Sequence, residues 1–284
     1  MFYLLISVIC SVTVAVIIKI AKQRTINYLQ LIVWNYPVAL LLTFYVLKPE
    51  IISWKSSLPW HLYLPLGFLL PFIFICIALS IRFSGIVKTE IAQRLSLFIP
   101  LIAAYLWMDE TILPNKFIGI IVGLIAIIFS IGWNKPSQLL KTNAWIFPML
   151  VFVGMGIIDV IFKNIALLSS ITYMSSLWIV FTLSLGFAIL FLMYLLFIKK
   201  QRLDIYAMLY GAVLGLFNFG NIVFYMKAHK ELPNNPSIVF LSMNIGVIVL
   251  GALVGMIIFK EKLSVYNKIG VILAIISVIL ISFL

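Results

Sequence analysis

A chain of 284 residues that is 64% hydrophobic and only 10% charged, with a mean hydropathy of +1.22, cannot present the surface of a soluble domain, in which about a quarter of residues are charged. The formal charge of +12 is spread singly over the polar turns. It therefore points to membrane topology and anionic lipid, and nucleic-acid binding is not expected.

A helix needs about 20 apolar residues to cross a bilayer, and the apolar runs predict ten spans: 2–20, 27–47, 61–81, 86–106, 114–133, 144–165, 172–198, 205–226, 237–258 and 265–284. The N-terminal run has no basic stretch before it and no small-residue cleavage site, so a removable leader is not expected. The longest connections are Lys48–Trp60, Asn134–Asn143 and Lys227–Pro236. The middle one is polar and divides the chain into residues 1–133, a connection over 134–143, and residues 144–284.

Trp54, Trp60, Trp107, Trp133 and Trp145 fall at span ends, as an interfacial belt requires, whereas Trp34 and Trp178 lie inside spans. Small-residue pairs at Gly119/Gly123, Gly211/Gly215 and Gly251/Gly255 permit close helix contact. Pro37, Pro71, Pro100 and Pro148 fall inside spans and are expected to kink them. Odd-numbered connections carry ten Lys and Arg and even-numbered ones four. The positive-inside rule then places the odd connections in the cytoplasm and both termini outside.

Two stretches repeat. Leu95 to Glu110 ends in Met108-Asp109-Glu110 and is followed by Phe117-Ile118-Gly119; Met243 to Gly255 leads to Phe259-Lys260-Glu261-Lys262 and then Lys268-Ile269-Gly270. Glu110 to Gly119 and Glu261 to Gly270 have the same separation. A five-span unit occurring twice inverts in the bilayer. The pattern, over essentially the whole chain, resembles the ten-span EamA-type branch of the drug/metabolite transporter superfamily. The chain departs from the commonest form of that family in lacking an early Trp-Gly pair in the first helix. The resemblance implies an all-α integral membrane protein, with ten transmembrane helices as two inverted five-helix repeats around a central cavity. Spans five and ten would be peripheral, and Glu110 and Glu261 structural turn residues. It also implies cytoplasmic termini, against the charge count.

Charges inside apolar spans cost at least ~2.5–3.5 kcal/mol and usually face a cavity or a partner. Span four carries Lys88, Glu90 and Arg94. Glu90 and Arg94 are one helical turn apart, and Arg94 lies roughly 12 Å into its span. A guanidinium there can hold a substrate carboxylate or phosphate bidentately, or else form a self-neutralised pair with Glu90. Lys88 is nearer the interface and snorkels. Asp159 and Lys163 repeat the spacing on span six. Asp159 and Glu90 are the candidates for a coupling proton, with an Asp159–Lys163 ion pair as the alternative. Lys19 and Lys163 end equivalent helices and serve as anchors or gates. Gln93, Trp34, Asn35, Tyr36, Trp178, Asn218, Asn221 and Asn244 complete the candidate substrate site, with Asn244 set opposite Gln93 by the repeat.

His61 and His229 sit at or near span ends, and Cys10 and Cys76 inside spans, so neither pair suggests a metal or a relay, and no cofactor is expected. No nucleophile elbow, zincin or Walker sequence supports an enzyme. The expectation is a secondary transporter exporting a small polar metabolite, an amino acid or similar zwitterion or anion. It would be a monomer or homodimer in the cell membrane of a bacterium. The rival readings are an exporter of lipophilic cations, or a non-transporting scaffold or lipid-handling protein.

Overall fold

The computed structural model describes residues 2–24, 26–50, 58–84, 89, 92–93, 95–107, 114–130, 146–169, 171–258 and 265–283. Among them there is no strand, and the helices are α1 (Phe2–Gln23), α2 (Tyr28–Leu42), α3 (Trp60–Ser84), α4 (Phe98–Trp107), α5 (Pro114–Ser130), α6 (Ile146–Ala166), α7 (Tyr173–Met193), α8 (Ile205–Glu231), α9 (Pro236–Ile257) and α10 (Val265–Phe283). By length and composition, 7 of them can cross a membrane, namely α1, α2, α3, α6, α7, α8 and α9. In α5 and α10 the apolar cores are shorter, at Phe117–Ala126 and Lys268–Ser277.

Helix caps follow from sequence. Asn27 and Thr172 lie in extended backbone, and their side chains accept from the backbone amides of Gln30 and Ser175, which starts α2 and α7 in the same way. Both helices then end in a π-helical turn, Thr43–Leu47 after α2 and Tyr194–Ile198 after α7. Just beyond each, a lysine adopts positive φ, Lys48 at 45° and Lys200 at 50°.

Packing between the halves is reciprocal. Helix α8 packs on α1 and α2, and its counterpart α3 packs on α6 and α7; α9 packs on α1 as α4 packs on α6. The pairs α2–α7, α4–α9 and α5–α10 join each element to its own counterpart. Between α5 and α10 the Ser277 hydroxyl donates to the Gly119 carbonyl at 2.7 Å, and a Cβ on Gly123 would stand 2.7 Å from the Ser277 oxygen. Beyond each other these two helices contact α9, and their remaining faces expose Phe117, Ile118, Tyr266 and Ile272. That matches the peripheral place expected of spans five and ten.

The structure differs from the sequence expectations in three places and agrees with them at Pro100. Helix α8 runs on to Glu231, so Lys227, His229 and Lys230 belong to it and the turn to α9 spans only 232–235. Pro148 sits in the first turn of α6, where a missing amide costs nothing, and makes no interior kink. Pro100 does interrupt span four. The Ser96 carbonyl, which an unbroken helix would pair with residue 100, accepts instead from Ile99 at 3.1 Å, and helix resumes at Phe98. At Gly251 no atom of the described residues lies within 4 Å of an added Cβ, so this glycine makes no close helix contact there.

Candidate functional site

Helix α8 carries Gly211, Gly215 and Asn218 on one stripe, at spacings of four and three residues. A Cβ at Gly211 would lie 2.6 Å from the Leu31 carbonyl oxygen and 2.7 Å from the Trp34 Cβ; at Gly215 it would lie 2.6 Å from the Asn35 carbonyl oxygen. The two glycines thus let α8 touch the backbone of α2, as small-residue pairs do in lipid. That approach brings the Asn218 amide within 3.1 Å of the Asn35 side-chain oxygen, both residues being buried. One turn on, Asn221 accepts from the Ser7 hydroxyl at 2.7 Å and ties α1 to the same helix.

Helix α2 carries three consecutive residues with buried donors, of which Asn35 faces Asn218. The Trp34 indole nitrogen, the Asn35 amide nitrogen and the Tyr36 hydroxyl are all buried, and none has a hydrogen-bond partner among the described residues. An unmet buried donor costs about 1–3 kcal/mol, so each marks a point where an acceptor is wanted, although consecutive residues of a helix do not face one another. Asn244 on α9 turns its amide back to the Phe240 carbonyl of its own helix at 3.1 Å, and Gln93 is half-buried beside the α4 break. Trp178 on α7 packs against Phe44 at 5.3 Å between ring centroids, at a shallow apolar groove with Leu40, Leu41 and Tyr45. Glu90, Arg94 and Lys88 lie outside the described residues.

A second polar group sits where α6 meets α8. Asp159 is half-buried, and its carboxylate accepts from the Tyr225 hydroxyl at 3.2 Å. Lys163, one turn on, is 1% exposed, and its ammonium donates to the Pro233 carbonyl in the α8–α9 turn at 2.8 Å. His229, one turn beyond Tyr225, is wholly buried, with its ring between those of Tyr225 at 4.7 Å and Phe240 at 4.8 Å. Among the described residues neither of its nitrogens has a hydrogen-bond partner. His61, in contrast, is exposed at the start of α3. Sequence placed both histidines alike at span ends; the extra helical turn of α8 and the aromatic ring of Phe240 are what bury His229. Lys19 is half-buried on α1.

At the membrane face bearing the α1–α2 turn, a polar network none of the sequence motifs announced joins that turn to the one before α8. The Asn27 backbone amide donates to the Asp204 carboxylate at 3.0 Å, the Asn27 side-chain amide to Gln201 at 2.9 Å, and the Gln30 side-chain amide to the Arg202 carbonyl at 2.8 Å. The Asp204 backbone amide donates back to Gln30 at 2.9 Å, and Asp204 also caps α8 by accepting from Tyr206 and Ala207. The amide of Asn27, ahead of those of Ala207 and Tyr206, holds the Asp204 carboxyl below its ordinary range.

Comparison with known proteins bears on this arrangement. The sequence profile described as the EamA-like transporter family matches twice, over residues 1–132 and 137–283. A protein of Haemophilus influenzae described only as uncharacterized is 37% identical over 281 residues, covering 96% of this chain and 94% of that one. A solved structure titled only as the crystal structure of a protein superposes on 99% of this chain and 98% of its own, with a TM-score of 0.70 and 14% identity, which shows a shared fold.

Proposed function

This chain belongs to the EamA-like transporter family, and we propose that it is a secondary active transporter exporting a small polar metabolite, an amino acid or a similar zwitterion or anion, across a bacterial cell membrane by alternating access. As a member of a transporter family with several apolar helices it is a multi-pass membrane protein. The proposed architecture is ten spans in two inverted five-helix repeats around a central cavity. The double profile match, the paired π-turns and the reciprocal packing of the halves support it.

The observation that carries the substrate class is the run of buried donors on α2. Trp34, Asn35 and Tyr36 offer an indole N–H, an amide N–H and a phenol O–H, none of which meets an acceptor among the described residues. A carboxylate or other anionic group satisfies such donors, whereas a lipophilic cation does not. Arg94, from the stretch that precedes the α4 break, is proposed as the cation that pairs with that group. Gln93, Asn218, Asn221, Asn244 and Trp178 are proposed to shape the pocket, with Lys19 and Lys163 as anchors or gates and Asp159 or Glu90 as acceptor of a coupling proton.

A thermal-shift screen of detergent-purified protein against amino acids, sugar phosphates, nucleosides and quaternary amines tests this. A ligand at a hundred times its dissociation constant stabilises by ~2.7 kcal/mol. An amino acid or other anion should shift the wild type and not Tyr36→Phe/Asn35→Leu. A shift by quaternary amines alone would make the substrate a lipophilic cation instead.

A further inference from the structure

Where α2 passes into its π-turn, the surface of the protein holds a groove. Leu40, Leu41, Phe44 and Tyr45 form one wall and Trp178 of α7 the other, around a space of about 270 Å³. All five lie within apolar spans, and Leu41, Phe44 and Tyr45 are exposed, so the groove opens to the acyl chains of the bilayer. Pockets for drug-sized molecules run to roughly 300–1,000 Å³. This one is smaller and no charged residue lines it, so it fits a length of alkyl chain and not the polar metabolite proposed above. We propose that the groove seats one acyl chain of a phospholipid with a zwitterionic, amine-bearing headgroup, whose phosphate lies on Lys48 and whose ammonium lies on Glu50. The site goes beyond the transporter reading and shares only Trp178 with the proposed substrate pocket.

The connection after the π-turn crosses the interfacial end of the groove. It leaves the α2 wall at Lys48, and two residues later the Glu50 carbonyl accepts from the Ser175 hydroxyl at 3.1 Å in the first turn of α7, with Pro49 buried between. Ser175 and Trp178 are three residues apart and share a face of α7, so Glu50 stands at the Trp178 side of the groove. The Lys48 and Glu50 side chains are exposed, and among the described residues they form no ion pair with each other or with another side chain. Two opposite charges held apart at the mouth of an apolar groove match the two ends of one zwitterionic headgroup. The Lys48 ammonium donates to the phosphate and the headgroup ammonium donates to the Glu50 carboxylate, both charge-assisted. A quaternary headgroup amine has no N–H to give to Glu50, and a headgroup with no amine meets Glu50 as a like charge.

The backbone at Lys48 points the same way. Its φ of 45° is left-handed, a conformation glycine adopts at less cost, and residues held so gather at ligand clamps. The π-turn of α7 supplies the contrast. Beyond it stand Lys199, Lys200 and Arg202 with no acid before Asp204, whose carboxylate is taken up by backbone amides. That end suits a phosphate without regard to an amine.

Native mass spectrometry of the detergent-purified, delipidated protein tests the site, with phosphatidylethanolamine and phosphatidylcholine of identical chains added together. The two headgroups carry the same net charge, so Lys55 and other charges outside the described residues act alike on both. An exposed ion pair is worth a preference of about two- to fivefold, and phosphatidylethanolamine should be retained over phosphatidylcholine by that ratio. Glu50→Gln should abolish the preference, Lys48→Gln should lower retention of both lipids, and Lys200→Gln should leave the preference unchanged. Equal retention by the wild type overturns the proposal, and so does a preference that Glu50→Gln leaves intact. Should a variant fail to fold, photocrosslinking of the wild type decides. Phosphatidylethanolamine with a diazirine midway along one chain should label residues 40–45 and Trp178 more heavily than the matching phosphatidylcholine probe does. Labelling no heavier there than at Phe117 and Ile272 of the peripheral helices would also overturn it. Neither readout involves transport, so a failed transport assay leaves the lipid site standing, and failure of the lipid site leaves the transporter reading untouched.

Discussion

Gly215→Ala should destabilise the protein even though alanine is the better helix former. In an exposed helix the exchange gains about 1 kcal/mol. At this position the new Cβ would stand 2.6 Å from the Asn35 carbonyl oxygen and 2.9 Å from the Val38 Cβ, where ordinary contact begins near 3.4 Å. Neither neighbour can swing away, since one is backbone and the other the root of a side chain, so α8 must back off α2 by most of an ångström. Overpacking of this kind costs about 1–3 kcal/mol. The displacement also stretches the Asn218–Asn35 bond beyond its 3.1 Å, and an interhelical bond in lipid is worth on average ~0.6 kcal/mol. The net expectation is a loss of about 1–2 kcal/mol, measured by equilibrium unfolding in mixed detergent micelles. Gly251→Ala is the internal control, because nothing described lies within 4 Å of its added carbon. Should Gly215→Ala prove as stable as Gly251→Ala, the close approach of α2 and α8 would be refuted.

Other expectations follow from the polar contacts. Asn218→Leu should cost about 1–2 kcal/mol by leaving Asn35 wholly unpaired, and adding Asn35→Leu should recover part of it, as the same unfolding equilibrium would report. Asp204 is more easily ionised in the folded protein than in the unfolded chain. Its contribution is present above the ordinary Asp value near ~3.9 and is lost as pH falls through its lower folded value. Melting of Asp204→Asn should therefore lie below wild type at pH 7, with the gap closing below about pH 4. Lys200→Gly, at a φ of 50°, should raise stability by up to about 1 kcal/mol in the same unfolding equilibrium, by relieving the left-handed backbone.

How much of this was legible in sequence depended on how local the cause is. Hydropathy located the helices within a few residues, because an apolar run of bilayer length is itself the determinant; α2 with its π-turn spans 28–47 against an expected 27–47. The end of α8 was placed five residues early, at 226, because Lys227, His229 and Lys230 read as a polar turn. In fact the two ammonium groups lie over the rings of Tyr3 and Tyr173, and the imidazole packs on Phe240. The amides Asn35, Asn218 and Asn221 were recognisable as residues needing partners, yet which amide meets which follows from helix crossing, fixed by Gly211 and Gly215. Asp204 caught no attention because a carboxylate in a polar turn is ordinary until Asn27, 177 residues away, is brought against it.

The most direct test of transport is to load proteoliposomes with a defined mixture of amino acids, organic acids, sugar phosphates and quaternary amines, and to follow by mass spectrometry what leaves. The account predicts selective loss of one or a few amino acids or related anions, over protein-free vesicles, which Arg94→Ala abolishes while still folding and inserting. Vesicles that retain every anion and zwitterion, or lose them equally with Arg94→Ala, would contradict it.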